Sequence, residues 1–131
     1  MGIAMAKPAL DAGLVSANPE VLLDFYEAVF DVQRLEPLVL PSIGTIHKLA
    51  VGESVLRIMQ PESAPASEDL EWSARTGIRY LTFEVVDAKA AAELAKAHGG
   101  TIAVEPFELR PGRIVCQLAD PDGNMLEVGQ G

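Results

Sequence analysis

The sequence predicts an α+β fold built from two β-α-β-β-β units in tandem, and three observations predict it. A strand pattern followed by a capped helix occurs twice. Each helix is followed by three more strand patterns, the last two forming a hairpin. The two halves also repeat one another position by position. Asp11 stands seven residues before Asn18, and Tyr80 stands seven before Asp87. Ile46-His47-Lys48-Leu49-Ala50 matches Val115-Cys116-Gln117-Leu118-Ala119, and Leu56-Arg57-Ile58 matches Leu126-Glu127-Val128.

The elements follow in order. Asp11 to Ala17 alternates as a strand. Asn18-Pro19-Glu20 then supplies an N-cap, a proline at the first helical position and an acid in the first turn. The helix runs to about Phe30, with Leu22, Phe25, Tyr26 and Val29 at helical spacing as its core face. Leu35 to Leu40 reads as a strand stopped by Pro41, and Thr45–Val51 with Ser54–Gln60 reads as a hairpin around Gly52-Glu53. Residues 61–76, rich in Pro, Ser, Ala and acids, read as a linker. The pattern then restarts with a strand from Arg79 to Val86, an N-cap at Asp87 and an alanine-rich helix to His98, closed by Gly99-Gly100. Thr101 to Glu105 is a strand, and Arg113–Leu118 with Asn124–Val128 forms a second hairpin around Asp120-Pro121-Asp122-Gly123.

At 131 residues the chain is expected to be one domain, with module one at about 9–60, the linker at about 61–76 and module two at about 77–129. A net charge of −9 leaves no basic stripe for phosphates, which argues against a nucleic-acid partner. The single cysteine, Cys116, excludes an internal disulfide and reads as a packed thiol. The first residues lack the apolar core of a signal peptide, and no apolar run approaches a membrane span, so a cytoplasmic protein without a membrane partner is expected.

Strand parity assigns the faces. Leu56, Ile58, Leu81, Phe83, Val85, Leu126 and Val128 share the helix-covered sides. That leaves Asp11, Lys48, Arg57, Tyr80, Thr82, Glu84, Gln117 and Glu127 on the open sides, with Val55, Met59, Val115 and Met125 as apolar lining. An apolar surface with a few convergent polar groups is the usual form of a small-molecule site. The alternative is that these charges pair with one another on a solvated sheet. Trp72, in the linker, offers a stacking surface together with Tyr80, or else a hydrophobic plug between modules. His47 shares parity with Leu49 and reads as packed or at an edge, and His98 ends a helix, so neither is expected to ligate a metal.

Three segments carry a resemblance to a known family: Phe25-Tyr26-Glu27-Ala28-Val29-Phe30, Gly77-Ile78-Arg79-Tyr80-Leu81-Thr82-Phe83-Glu84-Val85, and Asp120-Pro121-Asp122-Gly123-Asn124-Met125-Leu126-Glu127. With the duplicated pattern, they make the chain resemble the vicinal oxygen chelate superfamily, the glyoxalase I/bleomycin-resistance/extradiol-dioxygenase family. The resemblance implies two modules forming an open, partly closed β-barrel around a central cavity, commonly in a homodimer. It also implies four metal-ligand positions, which fall here on Asp11, Arg57, Tyr80 and Glu127. Glu127 alone is the usual residue. Asp11 could ligate through oxygen, Tyr80 only if ionised, and Arg57 not at all, because its guanidinium has no lone pair to offer.

No cofactor is therefore expected, with a divalent metal left open, and Arg57 is expected to replace the metal electrostatically by pairing with one or both of the Asp11 and Glu127 carboxylates. Two functions follow. The first is a metal-independent binder that sequesters a drug or metabolite, with Arg57, Lys48, Met59, Trp72, Thr82, Glu84 and Gln117 contacting it. The second is an isomerase, epimerase or lyase acting next to a carbonyl, with Asp11 or Glu127 as general base and Arg57 and Tyr80 steadying an enolate oxygen. A dimerisation module with a vestigial pocket is the blandest alternative, and no partner motif supports it.

Overall fold

The computed structural model of the chain describes residues 2–63, 72–74 and 76–131. Its elements are β1 (Ala12–Val15), α1 (Pro19–Val29), β2 (Gln33–Leu40), β3 (Gly44–Val51), β4 (Ser54–Pro61), β5 (Tyr80–Glu84), α2 (Ala88–Ala97), β6 (Thr101–Arg110), β7 (Arg113–Ala119) and β8 (Met125–Gln130). The α+β architecture and the repeated element order are those the sequence predicts. Most of the expected linker, residues 64–71 and 75, lies outside the described residues. Among the described residues no helix is long and apolar enough to cross a membrane.

The chain divides into two compact units, and the division cuts through α1. The first unit holds the residues up to Leu23 and the strands after Asp31, while Asp24–Phe30 cluster with the second half of the chain.

In the first unit the strand order is β1-β4-β3-β2. β1 runs parallel to β4, and the other pairs are antiparallel. The second unit repeats this as β5-β8-β7-β6, with β5 parallel to β8. Neither sheet closes into a barrel, because four twisted strands are too few to curl a sheet onto itself.

One edge strand of each sheet carries a Glu-Pro pair at the same repeat position, Glu36-Pro37 in β2 and Glu105-Pro106 in β6. The register shifts there, between Leu35 and Leu38 and between Val104 and Phe107. A proline cannot donate to the ladder, so an edge bulge is where it fits. This corrects the sequence reading of β6, which stops at Glu105: the bulge absorbs Pro106 and pairing resumes at Phe107, opposite Val115.

Period-two burial holds. In β4, Leu56 and Ile58 are buried while Val55, Arg57 and Met59 are partly exposed, and in β8 Leu126 and Val128 are buried while Met125 and Glu127 are partly exposed. α2 begins as predicted, with the Asp87 side chain accepting from the Ala90 N–H at 3.0 Å. It ends at Ala97 with His98 as its cap; Gly99 follows in the left-handed region at φ 92°, and the Gly100 N–H returns to the Ala95 carbonyl at 2.8 Å. Gly100 also fills a tight place: a Cβ there would lie 2.6 Å from the Phe25 ring and 2.7 Å from the Ala119 carbonyl oxygen.

The second half of α1, Asp24–Phe30, belongs to the second unit. Phe25, Tyr26 and Phe30 pack within that unit. Phe30 stacks on Phe83 of β5 with centroids 4.0 Å apart, and Tyr26 lies 6.1 Å from the same ring. Periodicity identifies the apolar stripe of a helix but not the surface that will bury it.

The Tyr26 hydroxyl donates to Asp120 Oδ2 at 2.7 Å. Asp120 is buried, and its four bonds define the turn between β7 and β8. Oδ1 accepts from the Asp122 and Asn124 N–H groups at 3.0 and 2.9 Å, and Oδ2 also accepts from Asn124 Nδ2 at 2.8 Å. Burial pushes this carboxyl up from its ordinary value, and the donated bonds draw it partly back. Burial likewise raises the Tyr26 phenol, with the Asp120 charge adding to it. Asp120 is thus a buried fastening between the helix and the turn of the hairpin, and the strand that turn delivers carries Glu127.

Candidate functional site

The residues assigned to the open sides lie on the open faces of two sheets. On the first sheet they form a row across the strands: Gly13 of β1 pairs with Arg57 of β4, and Arg57 pairs with Lys48 of β3. Met59 follows on the same face, in register with Val15 and Ile46.

Asp11 stands just before β1, and both of its oxygens are committed. Oδ1 accepts from Lys7 Nζ at 2.7 Å and from the Val55 N–H at 2.9 Å, and Oδ2 accepts from Arg57 Nη1 at 3.0 Å. The bonds from Lys7, the Val55 amide and Arg57, in that order, hold its carboxyl well below the usual carboxylate range. The Asp11–Arg57 pair read from the sequence is therefore present in the structure. Lys7 is a partner that strand parity missed, because it lies outside any strand, four residues before Asp11.

On the second sheet Thr82, Glu127 and Gln117 form the corresponding row, in register across β5, β8 and β7. Tyr80 is 46 % exposed and meets Trp72 edge-on, with centroids 5.8 Å apart, so these two do come together. Glu84 is bound by a residue that the sequence reading did not include in the site: Arg113 Nη1 and Nη2 donate to its two carboxylate oxygens at 2.7 and 2.8 Å. This fork lowers the Glu84 carboxyl and raises the Arg113 guanidinium, with the Glu127 charge a further contribution to Arg113. Gly129 makes room for it, since a Cβ there would collide with the Arg113 guanidinium. Parity puts Arg113 on the face of Val115 and Gln117, but its meeting with Glu84 follows only from the order of the strands. The Glu127 side chain makes no hydrogen bond among the described residues, although its charge acts on the Arg113 guanidinium.

Cys116 is buried, and burial pushes its thiol up, as suits a packed side chain. His47 is on the opposite face from Lys48, with Nε2 buried and unpartnered among the described residues. His98 caps α2 through its backbone N–H.

These donors do not fit a divalent metal. The Asp11 oxygens are occupied by two cations and an amide, and Arg57, at the position where a second ligand is expected, brings a positive charge and no lone pair. Among the described residues no group of three or more His, Cys, Asp and Glu side chains is placed to hold a metal.

Comparison with known proteins gives a consistent result. The family model described as Glyoxalase/Bleomycin resistance protein/Dioxygenase superfamily matches residues 10–128. No curated protein matches the chain significantly. Among solved structures, glyoxalase I from Zea mays is 23 % identical with a TM-score of 0.80, over 96 % of this chain and 45 % of that one. This chain therefore spans less than half the length of the Zea mays enzyme. A glyoxalase family protein from Bacillus cereus is 15 % identical with a TM-score of 0.80, covering 97 % of this chain and 98 % of that one. The fosfomycin resistance protein FosX from Mesorhizobium loti is 21 % identical with a TM-score of 0.70, covering 97 % and 94 %. At these identities the likeness is one of fold.

Proposed function

Because the chain belongs to the glyoxalase/bleomycin resistance protein/dioxygenase superfamily, we propose that it is a small-molecule-binding protein in which Arg57 supplies the positive charge that a metal supplies in metal-dependent members. Its role is to sequester a drug or metabolite. One observation carries this reading: the Arg57 guanidinium, 42 % exposed on the open face of the first sheet, is bonded to the Asp11 carboxylate at 3.0 Å. A guanidinium offers fixed charge and directional donors without a metal's ligand set. The same reading takes the protein to be a cytoplasmic homodimer, which light scattering on the purified protein tests.

The test of the metal-free reading is metal content by mass spectrometry. Protein purified without chelator is challenged with nickel, manganese, zinc and iron(II), then desalted. Substoichiometric metal in every case is expected, together with unchanged melting temperature. A stoichiometric metal that survives desalting overturns the reading.

A second reading, an isomerase, epimerase or lyase working next to a carbonyl, is favoured by Glu127. Its side chain makes no hydrogen bond among the described residues and sits between Thr82 and Gln117, where a general base needs to be free to take a proton. Asp11 is the poorer base, since three donors already hold its charge. If the protein is an enzyme, Glu127→Gln abolishes turnover and leaves ligand affinity within a few-fold. Loss of affinity without any measurable turnover in the parent returns Glu127 to a binding role.

A further inference from the structure

The charge on the first sheet's open face points to the class of ligand. Lys48 and Arg57 are direct register partners on neighbouring antiparallel strands, so their side chains leave the same face side by side. Like charges opposed in this way destabilise a sheet. Asp11 offsets part of that cost, but only through Arg57 Nη1, while its other oxygen goes to Lys7 and the Val55 amide. The rest of the guanidinium fork has no protein acceptor among the described residues, and neither has the Lys48 ammonium. Two cations, Lys7 and Arg57, thus bind one carboxylate, and a third, Lys48, stands beside Arg57 with none, in a chain whose net charge is −9. Folding alone gives no reason to concentrate positive charge there.

The space beside these groups is also open. A Cβ built on Gly13, the register partner of Arg57 on the other side, meets nothing within 4 Å. One row along, Val15, Met59 and Ile46 form an apolar strip across the same three strands. A charged end beside an apolar strip suits a molecule with the same division.

We propose that this face takes an amphipathic organic oxyanion, a carboxylate or phosphonate carried on an apolar body. Its oxygens lie between the Arg57 fork and the Lys48 ammonium, and its body lies over Val15, Ile46 and Met59. The proposal rests on the reading of this face as the ligand site, and it adds the charge and shape of the ligand. Lys48 is the discriminating residue, because it has no structural partner to lose.

The experiment is amide-resolved NMR titration of the full chain with phenylacetate, phenylphosphonate and the neutral phenylacetamide. The two anions are expected to shift the amides of Gly13, Lys48 and Arg57, with affinity falling as salt is raised, and phenylacetamide to leave them unmoved. Lys48→Met is expected to weaken the anions roughly tenfold, the loss of one charge-assisted hydrogen bond, with a melting temperature no lower than the parent's, because the substitution also removes a like-charge pair. Phenylacetamide binding at the same amides as tightly as phenylacetate overturns the anion clamp while leaving the site reading intact. Anion affinity unaffected by Lys48→Met also overturns the clamp. No probe perturbing these amides at millimolar concentration, or all of them acting elsewhere, overturns the clamp and the site reading together.

Discussion

Removing the Tyr26 hydroxyl isolates the fastening between α1 and the β7–β8 turn. In Tyr26→Phe the ring remains, with its edge-on contact to Phe25 at 5.2 Å and its contacts with Phe30 and Phe83. What goes is one donor, 2.7 Å from a carboxylate oxygen that is itself buried. A hydrogen bond to a charged acceptor contributes about 1.5–3 kcal/mol. Asp120 Oδ2 keeps the Asn124 Nδ2 donor, so no oxygen is stranded, and the loss belongs near the middle of that range, about 2 kcal/mol. For a chain of this size that is a fall in Tm of roughly 6–10 °C.

The pH dependence sharpens the test. The folded Asp120 carboxyl is raised, so its contribution to stability is fully present below the unfolded value of about 3.9 and is lost as pH rises through the folded value. The Tyr26 bond opposes that loss by favouring the ionised form, and removing it raises the folded value further. The variant's deficit is therefore largest above the folded value and smallest below about pH 3.9. Urea unfolding followed by circular dichroism at pH 7 and pH 3.5 measures both deficits. A loss under about 0.5 kcal/mol at pH 7, or an equal loss at both pH values, would refute the assignment of Asp120 as a charged acceptor.

Three further outcomes are expected. Gly100→Ala places a methyl group against the Phe25 ring and two carbonyl oxygens, and urea melts should show a loss of about 1–3 kcal/mol from overpacking. Carbon-detected NMR titration should find Asp11 ionising below the ordinary carboxylate value of about 3.9, with the midpoint moving up in Lys7→Met; an ordinary midpoint in the parent would remove the Lys7 and Arg57 bonds from the account. Asp87→Ala removes the N-cap acceptor of α2 and should cost about 1 kcal/mol, read in the same melts.

Local rules made much of this protein legible. Period-two alternation depends only on backbone geometry, so parity alone placed Arg57, Lys48 and Met59 on one face, and Thr82, Gln117 and Glu127 on another. Capping chemistry is equally local, and Asp87 and Gly99 mark the ends of α2 as their residue types require. The duplication carried register as well, because corresponding residues occupy corresponding rows of the two sheets.

Distance in sequence concealed the rest. β6 continues past Pro106 because an edge strand can bulge around a residue that donates no hydrogen bond, and edge position is a property of the sheet rather than of the segment. The Arg113–Glu84 fork joins residues 29 apart whose adjacency depends on how β5, β8 and β7 are ordered. The partner of Tyr26 lies 94 residues away, in a turn that sequence alone marks only as Pro/Gly-rich. Which side chains share a face follows from the bond geometry of each strand, and so can be read along the chain. Which helix, turn and cation meet those faces follows from a competition among all apolar surfaces and charges at once, and so can be read only from the folded molecule.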